Sequence, residues 1–228
     1  DQMRFRAWNH LPFNVLRDLQ PVTRLAAAQY ILVVHPSVPA ASVKEFIALA
    51  KSAPGKLNYS SAGVGSPLHL AAEMFKQRAG VELVHVPYKG GAPAAGAVLA
   101  GEVQVLFGSV AATLPQVKAG RLRALAVTGL KRSVVAPNLP TLAESGFPGF
   151  DVTSWYALLT PAKTPRAIVR RLYDEALRAM HTTDVLEACG RQGLEVETSA
   201  SSEEFSAQLK AETTAWERLI KTAGIRAD

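Results

Sequence analysis

The chain has 228 residues, of which 48% are hydrophobic and 19% are charged, and its formal net charge at pH 7 is +6. This composition is that of a globular protein with one large or two small domains, and no apolar run reaches the roughly 18 residues that span a membrane. Because aromatic residues make up only 7% of the chain and the basic residues are scattered, nucleic-acid binding is not expected.

Cysteine and histidine usage gives no sign of a metal site, a cofactor or a disulfide. Cys189 is the single cysteine, which excludes an intrachain disulfide, and its place in a helical stretch favours a small packed side chain. Metal-ligand spacing is absent from Cys189 and from the histidines at His10, His35, His85 and His181. The sequence starts at Asp1, which leaves open a removed signal peptide or a cut N-terminus.

From Tyr30 to Thr128 the predicted elements alternate between strand and helix. Apolar and β-branched runs predict strands at Tyr30–Val34, Lys56–Ser60, Glu82–Val86, Val103–Phe107 and Leu122–Thr128. Helical spacing and caps predict helices after the capping box Ser42–Glu45, from Ser66 to Gly80, over Ala92–Leu99 and over Ala111–Ala119. This alternation is typical of a parallel sheet covered by helices.

After Thr128 the pattern changes. Prolines and glycines between Lys131 and Phe150 predict loop with one short helix near Thr141. Beyond it the sequence predicts a strand over Asp151–Leu159, a helix from Thr164-Pro165 to about His181, a helical stretch over Thr183–Arg191, and a last helix from the capping box Ser201–Glu204 to Ala223. An α/β block inserted between two crossing strands is typical of a hinged, two-lobed binding protein.

The strongest local signal is the glycine-bearing loop before the Ser66 helix. Ser66 is placed as the N-cap and Pro67 as the first helical residue, so free N–H groups and the positive end of the helix dipole point at one place. That geometry suits a carboxylate or a phosphate, although many α/β connections use Gly and Ser only to turn the chain. Leu68 stands where a dinucleotide-binding fingerprint needs its third glycine.

Three such loops follow successive predicted strands, at Ser61–Ser66, Pro87–Pro93 and Phe107–Thr113. In open parallel sheets, ligands bind at the carboxyl ends of the strands. Lys89 would supply a cation there and Tyr88 a flat wall, with a solvated surface lysine as the alternative for Lys89.

Catalysis has weaker support. The serines Ser66 and Ser109 do not complete the Gly-x-Ser-x-Gly pattern of a nucleophile elbow, and His69 is expected to be packed instead of acting as a base. We therefore expect a binding protein, not an enzyme. Two alternatives stay open: an enzyme that uses the Ser66 helix start as an oxyanion site, and a ligand-sensing scaffold without a transport role.

Sequence blocks across nearly the whole chain carry a resemblance to a known family: Leu11–Phe13 with Asp18–Val22, Tyr59–Leu70, His85–Ala94, Gly120–Thr128, Leu139–Phe150 and Trp155–Pro165. With these blocks the chain resembles the Bug (TctC-like) solute-binding proteins of the tripartite tricarboxylate transporter family. The resemblance implies an α/β, two-lobed periplasmic-binding-protein (Venus-flytrap) fold of type II, with the first lobe incomplete here. Residues 1–34 and 155–228 would form lobe 1, and residues 35–154 lobe 2.

The resemblance also implies a function. Such a protein captures a small carboxylate (a di- or tricarboxylate or another organic acid) in the periplasm, without a cofactor or a metal. It delivers the ligand to the membrane components of a tripartite tricarboxylate transporter or reports it to a sensor kinase, and a monomer is expected.

Carried onto this sequence, the family's ligand site is formed by two sets of residues. One end of the ligand would be held by Ser61, Ala62, Gly65 and Ser66, and the other set comprises Tyr88, Lys89, Gly90 and Ser109. Two departures stand out. The N-terminal Pro-Gly-Gly loop of the family has no counterpart here, and Gly108 takes the place of an acidic or amide residue that is expected to face the ligand.

Overall fold

A computed structural model of the chain describes residues 14–225, so the predicted block Leu11–Phe13 lies outside the described residues. The chain divides into two compact units. We call Gln29–Thr153 the central unit, and Asp1–Ala28 with Ser154–Asp228 the split unit. The assignment of residues 1–34 with 155–228 and of 35–154 to two lobes stays a prediction.

Helices and strands alternate through the central unit, as predicted. Over both units, the strands are β1 (Leu19–Val34), β2 (Asn58–Ser61), β3 (Val84–Pro87), β4 (Val105–Ser109), β5 (Arg123–Val127), β6 (Thr153–Pro161) and β7 (Glu195–Val196). The helices are α1 (Val15–Asp18), α2 (Val43–Ser52), α3 (Pro67–Ala79), α4 (Gly91–Leu99), α5 (Val110–Lys118), α6 (Arg166–Met180), α7 (Thr183–Arg191) and α8 (Ser202–Thr222).

The sheet is mixed, so the expectation of a parallel sheet is wrong for one strand. The strand order is β3-β2-β4-β1-β5, with β6 and β7 also pairing with β1. Strand β2 pairs in parallel with β3 and β4, whereas β1 runs antiparallel to β4 and β5. The run Ile31–Val34 is fully buried in the middle of this order. Such an apolar run predicts burial on both faces, but it does not encode the direction of pairing.

Phenylalanine rings fill the core of the central unit. The Phe75 ring lies 5.9 Å from Phe46, 5.7 Å from Phe107 and 5.5 Å from Phe147, measured between centroids. Since Phe75 belongs to α3 and Phe107 to β4, this packing fixes α3 against the strands whose ends it adjoins.

Most predicted helix starts are confirmed. The hydroxyl of Ser66 accepts the N–H of His69, and Gly80 ends α3 in the left-handed conformation, with φ of 61°. Ser42 caps α2 and Ser201 caps α8. In both boxes the glutamate bonds to the amide one residue before the cap, as Glu45 does with Ala41 and Glu204 with Ala200.

Several element bounds differ from the predictions by one or two residues, as in β3, β4 and β6, and three differences have a clear local cause. Helix α6 begins one residue later than expected, with Pro165 as its N-cap. The segment near Thr141 forms turns and not a helix, because Gly146 and Pro148 leave no room for the cap pair Thr141–Glu144 to propagate. Strand β1 begins at Leu19, well before the predicted Tyr30, since its first part mixes polar and apolar residues that are buried together.

None of the helices in the range 14–225 has the length and apolar character needed to cross a membrane.

Candidate anion-binding site

Three helices of the central unit start where three parallel strands end. Strands β2, β3 and β4 lead through short connections into α3, α4 and α5. Because neighbouring strands lie about 4.8 Å apart, the three helix N-termini share one edge of the sheet. Each brings unpaired N–H groups and a partial positive charge, so this edge favours an anion.

The connection from β2 to α3, residues 61–66, is called the glycine loop below. Gly63 and Gly65 have φ of 121° and 72°, a region that favours glycine. The N–H of Gly65 donates to Nδ1 of His69 at 2.9 Å, and the N–H of Ser66 donates to the Gly63 carbonyl at 3.1 Å. The loop is therefore held in one conformation by its own bonds.

Within this loop the four predicted residues differ in what they offer. Ser61 is buried, and its hydroxyl lies 2.6 Å from Nε2 of His85, so that hydroxyl is engaged inside the protein. Ala62, Gly65 and Ser66 are half-buried. The Gly65 amide is also engaged, whereas the structure gives the amides of Ala62 and Val64 no acceptor within residues 14–225.

The connection from β3 to α4 holds Tyr88, Lys89 and Gly90. It lies against the glycine loop, since the N–H of Tyr88 donates to the Ser61 carbonyl at 3.0 Å. Tyr88 is half-buried and Lys89 is exposed. Gly90, with φ of 118°, is the N-cap of α4, and no side chain caps that helix start.

On the third strand, Ser109 ends β4 and caps α5. Its hydroxyl accepts the N–H of Ala112 at 3.4 Å, and its carbonyl accepts the hydroxyl of Thr113 at 2.8 Å. That position 108 faces the ligand stays a prediction. A Cβ on Gly108 would lie 2.2 Å from Cγ2 of Thr113 and 3.0 Å from Cδ2 of Leu106, so it would point at packed side chains.

The structure thus brings all eight predicted site residues to the ends of β2, β3 and β4, within one unit. Their role as ligand-binding residues stays a prediction.

A stacked histidine pair next to the glycine loop, with His69 buried and His85 half-buried, was missed by sequence reasoning. The rings of His69 and His85 stack with centroids 4.0 Å apart and an interplanar angle of 7°, and the Tyr59 ring lies 4.8 Å from that of His85. We call His69 and His85 the imidazole stack. Tyr59 and His85 are direct partners across β2 and β3, so strand pairing, had it been known, would have revealed their contact.

A carboxylate lies beside the imidazole stack. Glu73 accepts the hydroxyl of Tyr59 at 2.5 Å and the ammonium of Lys76 at 2.6 Å. Burial, and next the neighbouring His85, lower the pKa of His69 to about 4, and burial lowers the pKa of His85 as well. The pKa of Tyr59 is raised by burial and by its bond to Glu73. Both imidazoles are therefore neutral near pH 7.

The Ser61 hydroxyl lies beside Nε2 of His85, but it is buried and donates to the Gly63 carbonyl at 3.0 Å, so it is not presented as a nucleophile. The Ser66 hydroxyl accepts the backbone N–H of His69, while Nδ1 of that histidine accepts a different amide. Among residues 14–225, no group of three or more His, Cys, Asp or Glu side chains is arranged to hold a metal ion. The arrangement offers amides, hydroxyls and helix dipoles, which are the means of binding an anion.

Comparisons with known proteins agree on one family. The profile of the tripartite tricarboxylate transporter family receptors (TctC) matches residues 4–225. The UPF0065 protein in the tcbD-tcbE intergenic region of Pseudomonas sp. (strain P51) is 39% identical over 212 residues, which is 92% of this chain. The chain spans 62% of the length of that relative.

Solved structures share the fold. An R. palustris protein solved with adipate is 33% identical, with a TM-score of 0.80 over 96% of this chain and 73% of its own. MatC from Rhodopseudomonas palustris, solved with bound malate, is 26% identical, with a TM-score of 0.75 over 95% of this chain and 75% of its own. A TctC solute binding protein from Polaromonas, solved without a ligand, is 27% identical, with a TM-score of 0.85 over 96% of this chain and 75% of its own, so the family and this neighbour are solute-binding receptors and not enzymes. The chain has the α/β fold of the periplasmic binding proteins and belongs to the tripartite tricarboxylate transporter receptor family.

Proposed function

We propose that this protein is a periplasmic receptor that binds a small dicarboxylate and delivers it to the membrane components of a tripartite tricarboxylate transporter. The observation that carries the proposal is the convergence of the α3, α4 and α5 N-termini on one edge of the sheet. Helix N-termini stabilise a carboxylate through N–H groups and the helix dipole.

The ligand class is supported by the charges around this edge. Lys89 is exposed at the start of α4, and the structure gives it no ion-pair partner in the described part of the chain. A cation at this place adds to the dipoles and favours a second negative charge on the ligand. Two structures similar to this chain hold adipate and malate, which are both dicarboxylates.

The residues proposed to contact the ligand are Ala62, Gly65, Ser66, Tyr88, Lys89, Gly90 and Ser109. We assign Ser61 a supporting place, because its hydroxyl bonds inward to His85. A few charge-assisted hydrogen bonds support a micromolar affinity, which corresponds to about −8 kcal/mol.

Calorimetric titration with malate and adipate tests the proposal, with the corresponding diamides as uncharged controls. We expect saturable binding of at least one acid and none of its diamide. Because the chain spans 62% of its relative, the titration is repeated on a chimaera that adds the remaining sequence of that relative. Failure of every carboxylate with both proteins would overturn the proposed ligand class.

Delivery to a transporter is tested separately. A strain that lacks its own receptor but keeps the membrane components should take up the bound acid only when the receptor is supplied. If supplying the receptor leaves uptake unchanged but makes a sensor kinase respond to the acid, the signalling alternative holds instead.

A further inference from the structure

Both glycines of the glycine loop are linked by hydrogen bonds to the imidazole stack. The Gly65 N–H donates to Nδ1 of His69 at 2.9 Å. The Gly63 N–H donates to the Ser61 hydroxyl at 3.2 Å, and that hydroxyl lies 2.6 Å from Nε2 of His85. Each histidine therefore fixes one positive-φ glycine, directly or through one serine.

The backbone and the ring of His69 are both held in place. Its backbone N–H is bonded to the Ser66 cap, and its ring is buried between His85 and the start of α3. A donor N–H at Nδ1 requires that this nitrogen carry no proton, so the neutral ring has its proton on Nε2. Nε2 lies 3.8 Å from the Glu73 carboxylate.

The groups that face the imidazole stack come from three elements. Strand β2 contributes Tyr59 and Ser61, β3 contributes His85, and α3 contributes Glu73 and Lys76. Since Glu73 is already bonded by Tyr59 and Lys76, its negative charge is largely compensated. The stack therefore sits next to a closed ion pair and stays available as a hydrogen-bond acceptor for the loop.

We propose that His69 is a positioning residue for anion binding: its Nδ1, by accepting the Gly65 N–H, orients the glycine loop so that the Ala62 and Val64 amides face the ligand. This inference rests on the proposed function of the loop. A ligand touches the loop, whereas His69 acts from beneath it.

Two substitutions of His69 test the hydrogen-bond acceptor and the aromatic ring separately. His69→Asn keeps an acceptor oxygen close to the position of Nδ1 but removes the ring. His69→Phe keeps a ring that stacks on His85 but removes the acceptor. We expect His69→Asn to bind malate or adipate within about threefold of the unsubstituted protein. We expect His69→Phe to bind about tenfold more weakly, because leaving the part-buried Gly65 N–H without its acceptor costs on the order of tenfold in equilibrium. The opposite order, with His69→Phe binding normally, would assign His69 a packing role and overturn the proposal.

A second readout needs no ligand. Nitrogen-15 NMR of the histidine rings should show Nδ1 of His69 unprotonated and Nε2 protonated near pH 7, and the Gly65 amide should exchange slowly with solvent. In His69→Phe that amide should exchange faster, and in His69→Asn it should stay protected. A proton on Nδ1, or equal exchange of the Gly65 amide in all three proteins, would contradict the positioning role.

These readouts also separate the two proposals. If no carboxylate binds to this chain or to the chimaera, the proposed function fails, and the Gly65 amide exchange alone then decides whether His69 positions the loop.

Discussion

Gly65 is the residue at which the site is most sensitive to substitution. Its φ of 72° is unfavourable for a β-branched residue, and any side chain there would fill space at the start of α3. Gly65→Val should weaken dicarboxylate binding by at least about tenfold, the equivalent of one charge-assisted hydrogen bond, as measured by calorimetry. Gly120→Val is the matched control, because Gly120 has φ of 70° and lies past the far end of α5. Equal affinity of Gly65→Val and the unsubstituted protein would place the ligand elsewhere.

Substitution of Lys89 tests whether this side chain contacts the ligand or is a solvated surface charge. Lys89→Ala should reduce the affinity for a dicarboxylate by about three- to tenfold, and the reduction should shrink at high salt because exposed charges are screened. Lys118→Ala, an exposed lysine in the last turn of α5, provides the control at the other end of that helix. If both variants bind equally well, Lys89 is a surface lysine.

Gly108 is required for packing, and its role is testable by stability alone. A Cβ at this position would lie 2.2 Å from Cγ2 of Thr113. Gly108→Ala should lower the free energy of unfolding by about 1–3 kcal/mol, as overpacked cores do. Adding Thr113→Ser removes Cγ2 but keeps the hydroxyl that bonds to the Ser109 carbonyl, so denaturant unfolding should show partial rescue. A double variant no more stable than Gly108→Ala would refute this account of the clash.

At the scale of elements, the imidazole stack, which lies between β2, β3 and α3, makes the stability of the fold depend on pH. The pKa of His69 is lowered to about 4 in the folded protein, from an ordinary value of 6.5. Between these values the unfolded state binds more protons than the folded state, so stability is full above about pH 6.5 and falls as the pH is lowered toward 4. The loss should be on the order of 3 kcal/mol.

This pH dependence has a built-in control. Denaturant unfolding at several pH values should show a smaller slope between pH 4 and 6.5 in His69→Asn than in the unsubstituted protein. His181→Asn removes an exposed histidine outside the stack and should leave the slope unchanged. The same slope in all three proteins would mean that His69 does not carry the effect.

The elements also show how far the sequence could predict the fold. Ser42, Ser66 and Ser201 act as caps within four residues of their partners, and such local signals were interpreted correctly. The antiparallel direction of β1 was not foreseen, because pairing depends on contacts between residues that are distant in sequence.

In the candidate site, too, local features could be predicted from the sequence, whereas contacts between distant residues could not. The glycine loop and the helix starts could be predicted from local patterns, since Gly, Ser and Pro have defined conformational roles there. The contact of His69 with His85, and the inward orientation of the Ser61 hydroxyl, depend on the register of β2 and β3. The sequence alone does not give that register.

At the scale of the whole molecule, both units leave large apolar side chains exposed, and in the central unit these are Val64, Val84, Leu130 and Val134, at 41% to 70%. In the split unit the described residues leave Tyr156, Ile168 and Leu186 between 45% and 57% exposed, on β6, α6 and α7. The central unit buries its phenylalanines and carries all the residues proposed for the ligand. Binding is therefore measured both in this chain and in the chimaera with its longer relative.

The most direct test of the account is thermal unfolding of this chain and of the chimaera against a panel of carboxylates with their amide analogues. A dicarboxylate present at about 100 times its dissociation constant should raise the free energy of unfolding by about 2.7 kcal/mol, and its diamide should not. We predict such a shift for malate, adipate or a related dicarboxylate, and its loss in Gly65→Val. No shift with any carboxylate in either protein would contradict the assignment of the three helix N-termini as a carboxylate site.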